Sequence, residues 1–75
     1  MEPRDLALIE RLLPAHPELR GLWEEHLRLD RELEELHDRR FLTSEEEARR
    51  QELRKTKLAG RDRIEAILRD HRASP

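Results

Sequence analysis

Leu36-His37-Asp38-Arg39-Arg40-Phe41-Leu42-Thr43-Ser44-Glu45-Glu46-Glu47 is the stretch whose reading decides the fold. Thr43 followed three residues later by Glu46 is a capping box. The hydroxyl accepts from the amide at the third helical position, and the carboxylate reaches back to the amide of the cap. Glu45, Glu46 and Glu47 stand where the positive end of a helix dipole favours them. A helix is therefore predicted over 44–71, about 42 Å long at ~1.5 Å per residue.

Upstream of this turn the pattern is strict. Leu19, Leu22, His26, Leu29, Leu33, Leu36 and Arg40 are separated alternately by three and four residues. That spacing is a heptad seam, with a polar His26 in its middle and Arg40 at its end. It predicts a helix over 18–40, with Pro17 in the first turn, where its missing N–H has no partner to lose. Further upstream, Leu6, Ile9 and Leu13 with Leu8 and Leu12 predict a short amphipathic helix over 5–13. Pro14-Ala15-His16-Pro17 separates the two, because a residue before proline is pushed out of the helical region.

A short turn between two long helices makes an antiparallel pair. The expected fold is all-α: one small domain over 1–75, a short N-terminal helix followed by a long, coiled-coil-like, antiparallel two-helix hairpin. A turn centred near Phe41–Thr43 sets the register, with facing positions summing to about 86. Leu22 then faces Ile64, Leu33 faces Leu53, Leu19 faces Ile67, and Leu29 faces the stem of Lys57. Arg40 falls opposite Glu46. His26 falls opposite Gly60, large against small, as a packed seam requires. Charge agrees: Glu24 to Asp38 carries seven acids against two arginines, and Arg49 to Arg63 carries seven bases against Glu52 and Asp62. Such pairs choose orientation more than they stabilise it.

These residues also resemble a known family. His26-x-x-Leu29-Asp30, Leu33 and Leu36, the Arg40-Phe41-Leu42-Thr43-x-Glu45-Glu46-Glu47 turn, Lys57-Leu58, and Asp62-x-Ile64-Glu65-Ala66-x-Leu68 look like the YdcH-like family. Its members are small bacterial proteins of unknown function with a helical-hairpin fold. The resemblance covers most of the chain and implies that fold, with no activity attached. Arg50 and Gly60 depart from it, standing where the family commonly places an aliphatic residue on the inner face of the second helix.

Composition narrows the function. The chain has 75 residues, 45% of them charged, and only Trp23 and Phe41 are aromatic. Without cysteine there is neither a disulfide framework nor a thiolate zinc site. Cores below roughly 70–80 residues seldom supply more than a few kcal/mol unaided, which argues against an enzyme with its own enclosed pocket. No cofactor is expected. No stretch approaches the ~20 apolar residues that span a bilayer. The opening Met1-Glu2-Pro3-Arg4-Asp5 does not read as a secretory signal, so a cytoplasmic protein with no membrane association is expected. The net charge is −2, which gives no global field for nucleic acid.

Four local features invite chemistry. His16, His26, His37 and His71 contain no His-x-x-x-His pair, so His26 with Asp30 reads as a hydrogen-bonded seam pair beside Lys57 or Arg61 rather than a metal site. Asp30 and Lys57 read as a structural ion pair that fixes alignment. The basic run Arg49–Arg63 could follow a phosphate backbone, but no aromatic residue interleaves it for stacking. Trp23, Leu27, Leu58 and Leu68 remain apolar outside the seam; the 5–13 helix is expected to fold back over part of them, and together they form the candidate interaction surface, for a second copy or for a partner helix. The expected role is a non-catalytic interaction module, a homo-oligomer or an adaptor. The alternative is a nucleic-acid-associated accessory protein using the basic run.

Overall fold

A computed structural model describes residues 2–73; Met1, Ser74 and Pro75, and with them the start of the sequence read above for a secretory signal, lie outside it. The chain is all-α. Helix α1 spans Pro3–Leu12, a single 3-10 turn covers Leu13–Ala15, α2 spans Pro17–His37 and α3 spans Ser44–Ala73. No strand occurs among the described residues.

The prolines act as local chemistry requires. Pro3 and Pro17 begin α1 and α2, where a missing N–H costs nothing, and Pro14 sits inside the 3-10 turn. His16 leaves helical geometry (φ −131°, ψ 88°), and its ring Nδ1 accepts the Leu19 amide at 3.2 Å. An imidazole thus does the work usually given to Ser or Asp at a helix start.

α2 ends at His37, three residues before the predicted end at Arg40. Asp38 still donates to the Glu34 carbonyl at 3.0 Å, and Arg39 closes a tighter, three-residue turn by donating to the Leu36 carbonyl at 3.3 Å. The spacing that includes Arg40 carries no apolar burial with it, so nothing holds another helical turn against α3. Leaving the helix instead lets Leu42 turn back and pack on Leu29, Leu36 and Leu53. Phe41 is left 83% exposed. At the start of α3 the capping box forms in both directions: Glu46 N–H to Thr43 Oγ1 at 3.1 Å, and Thr43 N–H to Glu46 Oε1 at 3.0 Å.

α2 and α3 pack along one another, and their ion pairs run in opposite chain order. Glu18 meets Arg63 at 2.8 Å, Asp30 meets Lys57, and Glu32 meets Arg49 at 3.5 Å. Arg39, not Arg40, reaches Glu46, since the end of α2 at His37 shifts the register expected for Arg40. The molecule measures 50 × 20 × 17 Å.

Two apolar clusters hold it. The larger joins Ile9 of α1, Leu19 of α2, and Ile64, Ile67 and Leu68 of α3, with Leu8, Leu12, Leu13, Leu22 and Trp23 packed around them. The smaller joins Leu29, Leu36 and Leu53, with Leu33 and Leu42. Each fully buried Leu or Ile contributes about 1.5–3 kcal/mol. Arg72 of α3 pairs with Asp5, holding that carboxyl below its usual range, and ties α1 to the far end of α3.

Candidate functional site

Between the two clusters the α2–α3 interface turns polar. His26 is 10% exposed at its side chain and lies nearly parallel to the Trp23 indole, 5.4 Å between centroids. Its Nε2 is 3.8 Å from Asp30, and its Nδ1 is buried with no hydrogen-bond partner. Burial lowers the His26 pKa; Asp30 opposes this, while Lys57 and Arg61 add to it. The ring is thus favoured in its neutral form. The expected packing of His26 against Gly60 is not made. A Cβ at Gly60 would find nothing within 4 Å, because the imidazole lies back along α2 on Trp23 instead.

Asp30 and Lys57 meet as the sequence predicts, as an ion pair across the interface. Neither is deeply buried, at 46% and 32% side-chain exposure. A carboxylate and an ammonium in that contact fix the relative position of two helices more than they lower any barrier. His37 and His71 are exposed, and the rings of His16 and His71 come within 6.4 Å of each other. Among the described residues, no three His, Cys, Asp or Glu side chains gather as a metal ion would require. Among them also, no helix is long and apolar enough to cross a membrane.

The basic run is largely neutralised, from two sources. Glu32, Asp30 and Glu18 of α2 take Arg49, Lys57 and Arg63. Glu47, Glu52 and Glu65, on α3 itself, take Arg50, Lys55 and Arg61. The sequence reading anticipated the first set only. Arg54 has no ion pair among the described residues.

The four candidate interaction residues separate. Leu68 is 1% exposed and belongs to the core, because α1 folds over it through Ile9. Trp23 is half-buried against the same cluster. Leu27 and Leu58 are 38% and 58% exposed. Leu58 lines an open groove of about 650 Å³ between α2 and α3, floored by Leu33 and edged by Asp30, Glu34 and His37 on one side and Arg50, Arg54, Lys57 and Arg61 on the other. The groove was not anticipated. Its signal lay in the sequence as the stripe Asp30, Glu34, His37 beside the seam, at spacings of four and three.

No protein-family model, curated protein or solved structure matches this chain.

Proposed function

We propose that this protein is a non-catalytic interaction module of the YdcH-like type, a coiled-coil-like helical hairpin that acts in the bacterial cytoplasm by docking a further helical surface. The observation that carries the reading is the pair Leu27 and Leu58. The seam leucines pack into two small clusters, whereas these two, off the seam, stay exposed, and Leu58 lines the groove. Apolar side chains beside a groove between helices suit the apolar face of another helix. Of the polar groups around the groove, Asp30, Lys57 and Arg61 are already paired within the chain, which supports a binding role over a chemical one.

The test is capture with the full chain immobilised, comparing it with a Leu27→Glu, Leu58→Glu double variant. Both positions are solvent-exposed, so the variant keeps its helical circular dichroism. Retention of a protein, whether a second copy or another chain, that the variant loses supports the reading. Equal retention by both, or retention of nothing, overturns it. Nucleic-acid association is the weaker alternative, since six of the seven cations between Arg49 and Arg63 already face carboxylates.

A further inference from the structure

The edges of the groove carry opposite residual charges. On α2 the stripe Asp30, Glu34 and His37 borders it, with exposed Leu27 one turn before Asp30 on the same stripe, and on α3 the stripe Arg54, Leu58 and Arg61 does. Asp30 and Arg61 are occupied, by Lys57 and Glu65. Glu34 and Arg54 are exposed, and among the described residues neither side chain has an ion pair or hydrogen bond. One groove therefore presents a free carboxylate on one rim, a free guanidinium on the other, and the exposed Leu58 over a half-buried Leu33.

Resting on the reading above, we infer that the occupant of this groove is a second copy of the chain, related by a two-fold axis parallel to the helices. That operation sets α2 of each copy on α3 of the other and makes an antiparallel four-helix bundle. It places the Glu34 rim of one copy over the Arg54 rim of the other, twice, and Leu27 of each copy over Leu58 of the other. A two-fold axis running across the helices would set α2 on α2 and α3 on α3. Seven acids between Glu24 and Asp38 would then oppose themselves, as would seven bases between Arg49 and Arg63. Like charges brought together across an interface cost several kcal/mol, so the charge pattern selects the first arrangement. The size fits. A face of 50 by 20 Å has room for the roughly 800 Å² that each partner buries in a stable complex.

The experiment is sedimentation equilibrium of the full chain up to ~100 μM, where mass action reveals association. A dimer is expected. Arg54→Glu and Glu34→Arg alone should each weaken it about tenfold or more, since each places like charges in contact twice. Mixing the two variants should restore it, because Glu34 then meets Arg54 at one rim and the two reversed charges meet at the other. Both sites are exposed, so helical circular dichroism should be unchanged. Leu58→Glu should abolish the dimer. A monomeric chain overturns the inference, as does a dimer indifferent to these changes. Single variants that weaken while their mixture stays weak overturn the two-fold orientation. If the chain is monomeric yet captures another protein through Leu58, the inference fails and the interaction reading stands.

Discussion

The Trp23 indole and the His26 imidazole lie nearly parallel, 13° between planes, so the polar centre of the α2–α3 interface is a ring stacked on its own helix. His26 is held neutral by burial, with Asp30 of α2 opposing and Lys57 and Arg61 of α3 reinforcing. As pH falls through the ordinary histidine value of 6.5, the unfolded chain takes up a proton before the folded one. Stability is therefore lost with falling pH in that window and is insensitive to His26 above it. His26→Leu should raise Tm at pH 7 by removing a buried, unpaired nitrogen, worth about 1 kcal/mol. It should also flatten the decline of Tm between about pH 7 and 5. An unchanged slope in thermal melts across that range would assign the pH dependence elsewhere.

At the turn, Thr43→Ala removes the acceptor for the Glu46 amide and should cost about 0.5–2 kcal/mol. Glu46→Ala should cost less, and the double variant less than the sum, because the two bonds form one motif. The Glu46 carboxyl is held below its usual range first by the Thr43 amide and further by Arg39, so its share fades as pH drops below the carboxylate range. Urea melts of the three variants measure both effects.

Ile9→Ala should cost about 2–5 kcal/mol, although Ile9 lies outside the α2–α3 pair, because its side chain is fully buried against Leu19, Ile64 and Leu68. Leu27→Ala, at an exposed site on α2, should change the stability of dilute protein by less than ~0.5 kcal/mol. Denaturant melts at low micromolar protein separate the two.

Gly60→Ala should stabilise α3 by about 0.5–1 kcal/mol, since the position is mid-helix and open space surrounds a new Cβ. A melt showing destabilisation would mean that the interface closes on Gly60 in solution.

Binding of random duplex or single-stranded nucleic acid near 150 mM salt should be weak or absent, because paired cations release few counterions. A gel shift at micromolar protein, lost on reversing Arg54 and Arg61, would instead favour the accessory-protein alternative.

Local chemistry was the legible part of this molecule. Thr43 and Glu46 declare the start of α3 within four residues, and the leucine spacing declares the buried face of α2. What escaped is set by contacts between distant parts of the chain. That the first helix covers some of the off-seam residues was legible, but not which: Leu68 joins the cluster of Ile9, 59 positions away, while Leu58 stays exposed. The end of α2 escaped for a related reason. Arg40 continues the spacing, yet packing Leu42 on the smaller cluster outweighs another helical turn. Of the surface residues, the sequence marked Leu27 and Leu58 by their apolarity. The rims at Glu34 and Arg54 could not be read, because which charges remain unpaired depends on the register of two helices.

The tie between Asp5 and Arg72 spans 67 residues of sequence, whereas the Thr43–Glu46 box spans three. Closing a loop costs more as it lengthens, so the chain zips from the turn outwards and α1 docks last. Ile9, Leu19, Ile64 and Leu68, the most completely buried side chains, sit at the end that closes last. Amide exchange should therefore be slowest not where the chain is most buried but near Leu36 and Leu53, beside the turn. On this order, much of the apolar surface of the protein would stay in water until the final step of its folding.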